Sequence, residues 1–371
     1  MVENKKIKIA IISYPFLSFL GGAERYVEEM ARGFEHNGVD VTIFSSWNLF
    51  WKEKRQTDAT IIKIFNFPFT RRFKYYHEMF FNFFVYFLYR KKLRSFDLII
   101  PQAPAAYFLL FDKYLKNKTV PVSYNSPWRR NQKEEKSIYE NAFSVICINQ
   151  ACKENILKNY PHIDINKLVV FNEGVHVDKF YPRSTDEIVA MRQKYNIPIN
   201  KLFLLTLQRM DSRKDLVTLA NILINVAKAA PDIFVGIAGG GPDRDKVAVL
   251  VDDAGLNNLK MLGFIEENDL SSIYASADAF LSATWGQVAL EAMACGVCTF
   301  VLNDHPACKE NVCDLNLLLP CNQQSYHNIL GVIVNRNLCN HYGKKGLEFI
   351  LDNFKWDIIT KKILNHYLQV K

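Results

Sequence analysis

Twice along this chain, a short apolar run gives way to a glycine-bearing loop and then to a helix-spaced stripe, and the cycle repeats. Lys8 to Ser13 (KIAIIS) is a continuous apolar run without polar alternation, as expected of a parallel strand buried on both faces. The loop YPFLSFLGG follows, and Tyr26, Val27, Met30, Ala31 and Phe34 then keep helical spacing over Ala23 to Glu35. Gly38 and the run Val39 to Ser45 complete a βαβ unit. Asp97–Ile100, Thr119–Tyr124, Phe143–Ile148 and Lys167–Phe171 read as further strands, and Gln150–Asn159 as a helix. A polar helix near Ile188–Tyr195 precedes the second cycle. There, Leu202–Leu207 and Ile233–Ala238 are strands, with a helical stripe at Leu216, Leu219, Leu223 and Val226 between them. The helix Arg244–Ala254, the strand Lys260–Leu262 and a helix over Asp269–Ser276 continue the alternation. Each half therefore predicts an α/β layer with a parallel sheet.

At 371 residues the chain exceeds the usual size of one core, so two domains are expected. The boundaries predicted are 1–180, 181–355 and a final helix, 356–371, able to pack on either domain. The net charge of +8 is uneven: residues 1–180 hold 27 Lys and Arg against 18 Asp and Glu. That half suits an anionic partner. The N-terminal apolar run is too short for a signal peptide, and no stretch reaches the length of a spanning helix. Cys295 and Cys298 lack a second pair at metal-binding spacing, which favours buried free thiols.

Four stretches carry candidate chemistry. In Leu281–Phe300 (LSATWGQVALEAMACGVCTF) a strand end and a small-residue loop lead into a helix whose one acid is Glu291. No Lys or Arg lies between Lys260 and Lys309, so Glu291 has no basic neighbour at pairing distance on its helix. It is either an exposed acid on a helix rim or a carboxylate held at a strand's carboxyl end for ligand hydroxyls. Arg209 and Lys214, five residues apart after the strand Leu202–Leu207, could clamp a diphosphate. Cations oppose the dipole at a helix start, which weakens the alternative of two idle surface charges. Gly21-Gly22 before the first helix would let backbone N–H groups approach an anion. Finally, Phe65–Phe96 sets Arg71, Arg72 and Lys74 before an aromatic run and Arg90, Lys91, Lys92 and Arg94 after it. This suits a helix at an anionic membrane surface, or equally a fully buried core helix, since apolar residues nearly encircle Met79–Leu88. No nucleic-acid motif accompanies it. Asp243 and Asp269 read as helix N-caps.

In order, these landmarks resemble the retaining glycosyltransferases of family 4, the "glycosyl transferases group 1" type, over nearly the whole chain. Gly21-Gly22-Ala23-Glu24 is similar to the family's N-terminal glycine loop, and Gly174-Val175 within NEGVHVDKFYP to its interdomain segment. Gly239-Gly-Gly-Pro, Gly263-Phe264 with Asp269-Leu270, Ala277-Asp278 and Glu291-Ala-Met-Ala-Cys-Gly296 match successive landmarks of the donor domain. The resemblance implies a GT-B fold, in which two Rossmann-like parallel-sheet domains face a deep cleft and the C-terminal helix crosses back to the N-terminal domain. It makes Arg209 and Lys214 the diphosphate pair and Glu291 the ribose ligand. Gly263, Phe264 and Ile265 lie near the base, and Gly286, Gln287 and Val288 complete the donor set. Asn125, Gln102 and Arg129 fall on the sugar–acceptor side.

Two departures stand out. Ala283 occupies the place of a second acid, eight residues before Glu291, that usually contacts the donor sugar. Asn125, in YNSPWRR, stands where a histidine is common; an amide can bond a hydroxyl but cannot act as a base. Retention by same-face attack needs positioning and leaving-group stabilisation more than a protein base, so this change does not exclude catalysis.

The expectation is a metal-independent enzyme without cofactor, moving a hexose from a UDP- or GDP-sugar to a glycan or lipid-linked acceptor in glycan or envelope polysaccharide biosynthesis. It would be cytoplasmic, peripheral on the inner face of a membrane through residues 71–94, with no nucleic-acid partner. The rivals are a nucleotide-sugar-binding protein that has lost catalysis and a nucleotide-sugar epimerase.

Overall fold

The computed structural model describes residues 6–14, 16–17, 22–47, 53, 57–65, 74–124, 132–211, 215–302 and 318–368. The chain divides into two compact units, Met1–Gly174 with Trp356–Lys371, and Val175–Lys355.

In the first unit, β1 (Lys8–Ile12), α1 (Gly22–His36), β2 (Asp40–Trp47), β3 (Thr60–Phe65), α2 (Lys74–Leu93) and β4 (Leu98–Pro101) build a parallel sheet of order β3-β2-β1-β4. Parallel bridges Ile99–Thr119 and Gln102–Val122 carry it on to β5 (Val122–Ser123). Before β5 comes the short helix α3 (Tyr107–Leu110); after it come α4 (Gln132–Asn141), β6 (Val145–Cys147), α5 (Gln150–Asn159) and β7 (Leu168–Val170). The strand expected over Thr119–Tyr124 shortens because Pro121 has no N–H for the ladder. Residues 9–12 of β1 are buried, as their unbroken apolar run requires.

The second unit opens with α6 (Thr185–Lys194), whose Ser184 and Glu187 form a reciprocal capping box. Then β8 (Leu202–Leu207), α7 (Leu216–Ala229), β9 (Ile233–Ala238), α8 (Arg244–Ala254), β10 (Leu259–Gly263), α9 (Leu270–Ala275), β11 (Ala279–Ser282), α10 (Gln287–Ala294), β12 (Cys298–Leu302) and β13 (Leu318–Leu319) follow. Its strand order is β10-β9-β8-β11-β12-β13, all parallel. Chain order reverses between β8 and β11, and ligands of such sheets bind in the crevice at the carboxyl ends there. The helices Ser325–Ile333 and Arg336–Asn353 complete the unit. A Cβ at Gly343 would stand 2.3 Å from the Gly296 carbonyl, so the second of these crosses the end of α10 at backbone contact.

The unit boundary falls between Gly174 and Val175 rather than between 180 and 181. Val175 and Phe180 are buried in the second core, and the Val175 N–H donates to the Phe354 carbonyl at 2.7 Å. The C-terminal helix Trp356–Leu368 belongs to the first unit, where Trp356, Ile359, Ile363 and Leu364 join the core around β1. Asn37 Nδ2 ties it to α1, reaching the Gly33 carbonyl, the Asp357 carbonyl and Thr360 Oγ1 at 2.9, 2.9 and 3.0 Å.

Two cap expectations are corrected. Asp269 and Asp243 occupy N-cap positions, but neither side chain makes a capping bond. Asp269 instead accepts from Lys194 Nζ at 2.6 Å and Tyr195 OH at 2.7 Å, and Asp243 pairs with Lys246 at 2.7 Å. Nearby cations and hydroxyls outcompete the amides of a helix start.

Candidate active site

In the second unit the loop after β8 carries Arg209, and the glycine loop after β9 fixes its course. Met210 N donates to the Gly240 carbonyl at 2.9 Å, Asp243 N to the Met210 carbonyl at 3.1 Å, and Gly239 N to the Gly263 carbonyl at 2.8 Å. Gly239 and Gly241 have φ of +117° and +146°, and a Cβ on either would stand 2.0 or 2.2 Å from the carbonyl oxygen of Gln208 or Met210. Only glycine permits both that backbone conformation and that approach. The glycine loop therefore buttresses the cationic loop. Arg209 leaves 70% of its side chain exposed, with Nε 3.3 Å from the Asp211 carboxylate, whose own side chain is 10% exposed. Asp211 thus orients a cation at a strand's carboxyl end, a role missed in the sequence because an acid two residues from an arginine is an ordinary surface pattern.

Beside β8, β11 runs into Ser282-Ala283-Thr284-Trp285-Gly286 and then α10. Ser282 Oγ donates to the Thr284 carbonyl at 2.7 Å, and the Trp285 ring meets Phe354 at 5.8 Å, which sets the turn. Among the described residues no atom lies within 4 Å of a Cβ placed on Gly286, at the start of α10. The first-turn amides of Gln287 and Val288 have no intrahelical acceptors and suit an anion or ligand oxygen. Glu291, one turn further, is 2% exposed; the exposed-rim alternative is overturned. The Cys295 thiol is pushed up to about 12, by burial first and by the Glu291 charge as well, with Arg183 opposing. Phe264, at the end of β10, shows 73% of its surface and is free to stack on a planar group. Ile265 is 4% exposed, its side chain part of the second core.

In the first unit Gly22 opens α1, exposed and with nothing among the described residues within 4 Å of a Cβ, at the end of the loop after β1. Gln102 lies at the carboxyl end of β4, the neighbouring strand, its N–H on the Ile12 carbonyl at 2.9 Å. Around it gather three residues that the sequence did not single out for ligand binding: Tyr124, Glu24 and Glu173. Burial pushes the Tyr124 phenol up, the nearby Gln102 side chain opposes this, and the charges of Glu24 and Glu173 add to it. A buried network follows: Glu135, with no exposed surface, accepts from Tyr139 OH at 3.0 Å and Tyr160 OH at 2.8 Å, and Tyr139 OH meets Ser123 Oγ at 2.8 Å. It ties the start of α4 to the end of β5. Glu135 escaped notice because its run, QKEEK, reads as a solvated helix face.

Asn125, Arg129, Lys214 and Gly21 lie outside the described residues, as does the stretch 303–317 after β12. Among the described residues no group of three or more His, Cys, Asp or Glu side chains converges as metal ligands, and no helix is long and apolar enough to cross a membrane.

Comparison with known proteins agrees with this architecture. Residues 20–179 match the model of Glycosyltransferase Family 4, and residues 188–349 that of Glycosyl transferases group 1. An uncharacterized glycosyltransferase of Methanocaldococcus jannaschii is 23% identical over 99% of this chain and 98% of its own length. The alpha-maltose-1-phosphate synthase of Mycolicibacterium smegmatis is 23% identical over 64% of this chain and 65% of its own. Among solved structures, the sucrose-phosphate synthase of Thermosynechococcus elongatus superposes with a TM-score of 0.78 at 20% identity, covering 98% of this chain and 99% of that one. Anabaena HepE, solved with UDP and glucose, gives 0.73 at 17% identity over 98% and 100%. With a model matched on each unit and one fold shared along the whole length, the chain belongs to the family 4, group 1 glycosyltransferases and adopts the GT-B fold.

Proposed function

We propose that this glycosyltransferase is a retaining enzyme that takes a hexose from a UDP- or GDP-sugar held by the second unit. The observation that carries the reading is Glu291, a carboxylate 2% exposed, one turn inside a helix that opens at the carboxyl end of β11, beside the strand that presents Arg209. A nucleotide fits that arrangement: Glu291 accepts from the ribose hydroxyls, Phe264 offers a face to the base, and Arg209 with Lys214 neutralises the diphosphate. Anabaena HepE, a structural neighbour solved with UDP and glucose and with UDP-glucose, supports the uridine form. In the reaction the bond from the anomeric carbon to the phosphate oxygen breaks, the acceptor oxygen bonds the same carbon on the same face, and its proton passes to the departing phosphate. Arg209 and Lys214 stabilise that leaving group without a metal ion, and in the first unit Asn125, Gln102 and Arg129 are the candidates for holding the acceptor.

The acceptor in this reading is a glycan or lipid-linked molecule of polysaccharide biosynthesis, used at the cytoplasmic face of an anionic membrane that residues 71–94 approach. Nucleotide release from a panel of UDP-, GDP- and ADP-sugars, with and without acceptors, tests it. Acceptor-dependent release of UDP or GDP is expected. Tight donor binding without turnover would replace the enzyme by a binding protein, a reading that Ala283 favours. Free nucleotide without a transfer product would point to an epimerase.

A further inference from the structure

Helix α2 buries one stripe and exposes another. Phe81, Val85 and Leu93 are at most 1% exposed and pack with Ile12, Phe44 and Ile99. On another face Phe80, Phe83 and Phe87 are 44%, 42% and 69% exposed, and their stripe runs on to the exposed Lys91 and Arg94. The full burial that the sequence allowed is thereby overturned. The exposed stripe does not stand alone. Phe83 stacks on Phe87 at 5.7 Å and meets Phe108 edge-on at 5.9 Å, and beyond it Phe111 and Tyr114 are 59% and 53% exposed. The Arg94 guanidinium lies 4.2 Å above the Tyr114 ring.

Asp112 holds the two elements together. Its side chain has no exposed surface, is ion-paired with Arg90, and accepts from Tyr86 OH at 3.2 Å and Tyr114 N at 2.8 Å. The aromatic rings are thus pre-positioned on a rigid base rather than carried on a loose loop. Residues 74–118, from the start of α2, contain eight Lys or Arg against three acids, Glu78, Asp97 and Asp112. Asp112 is buried, and Asp97 accepts from the Lys8 N–H. A large exposed aromatic patch marks an interaction surface. Flanked by cations that outnumber its acids, it matches the headgroup region of an anionic bilayer, where aromatic rings and basic side chains both find their preferred surroundings.

We propose that α2 and residues 107–114 form one docking surface for an anionic bilayer, and that the acceptor is carried in that bilayer. The second clause rests on the transferase reading. It follows from continuity: Gln102 leads directly into the turn Ala103–Ala106 and α3, and Asn82 Nδ2 pins α2 to the Pro104 carbonyl at 3.0 Å. The docking surface and the candidate acceptor residue thus belong to one fastened segment.

Flotation of the full chain with vesicles tests the surface, using phosphatidylcholine alone and phosphatidylcholine mixed with phosphatidylglycerol. Binding to the mixed vesicles is expected. Phe87→Ser with Phe111→Ser should weaken it roughly tenfold or more, and Lys91→Gln with Lys113→Gln by about fivefold per charge, on the anionic vesicles only. All four positions are exposed, and an unchanged thermal midpoint and UDP affinity would show that the variants fold. Unchanged flotation of the Phe variant overturns the proposal. So does absent flotation together with concentration-dependent self-association that the same variant abolishes, which would make the patch a protein interface. Donor turnover without vesicle binding removes the surface and leaves the transferase; patch-dependent binding without any turnover does the reverse.

Discussion

At the scale of single residues, the second unit's site rests on charges whose surroundings are apolar or fixed. Glu291→Gln keeps the shape of the side chain and removes its charge. UDP affinity measured by calorimetry should fall about 10- to 100-fold, the value of a charge-assisted hydrogen bond to a ligand hydroxyl. The thermal midpoint should change far less than the affinity, because the amide fills the same space and still accepts hydrogen bonds. Asp211 makes a different prediction. Asp211→Asn leaves the Arg209 charge in place but frees its direction, so kcat/KM should drop by about tenfold. In an Arg209→Ala background the same change should add nothing, as a thermodynamic cycle on the four proteins would show. Glu291 was legible in the sequence as a misfit, an acid in apolar company. Asp211, Glu135 and Glu173 were not, since acids within charged or polar runs carry no mark of burial until the fold places them.

At the scale of elements, legibility followed burial. The strands Leu202–Leu207 and Ile233–Ala238 match their sequence-predicted limits because both faces are covered and every residue is apolar or small. β3 passed unread: its exposure alternates irregularly along an edge and Lys63 interrupts its run. Polar α4 and the two helices after β13 escaped for a similar reason, their buried positions being few and including Glu135, Ser325 and glycines. The aromatic helix α2 was ambiguous because composition alone does not say which stripe a helix buries. Its junction with residues 107–114 yields a pH prediction. Burial alone would raise the Asp112 carboxyl, yet the Tyr114 amide, Arg90 and Tyr86 outweigh it and hold the group below its ordinary value of 3.8. A lowered folded-state pKa stabilises above the unfolded value and is lost as pH falls through the folded one. Asp112→Asn should therefore cost about 1–3 kcal/mol near neutrality. The gap to the wild type, followed by thermal melts from pH 7 downwards, should close below about pH 4.

At the scale of the molecule, the two-unit division was readable from the repeated βα alternation and the basic first half. The destination of the last helix was not, because its apolar stripe suits either core. Trp356 is 5% exposed and lies against Gly174, where a Cβ would come within 2.8 Å of the indole. Trp356→Ala should destabilise the first unit by about 3–5 kcal/mol. Calorimetry should show its transition moving down while the one protected by UDP stays in place; a single transition that shifts as a whole would contradict the independence of the two cores.

The chain thus leaves its first unit at Gly174 and returns at Trp356, and the parallel bridge between Val175 and Lys355 brings the two ends of the intervening unit together. On the ribosome this imposes an order. The second unit has all its residues once position 355 emerges, whereas the unit made first waits for the final helix to close its core around Ile359, Ile363 and Leu364. The earliest-made unit is the last to mature, with the apolar positions that the final helix covers exposed in the interval. The adjoining ends also make residues 175–355 a natural cassette, one that could be exchanged between relatives through two neighbouring junctions without rebuilding either sheet.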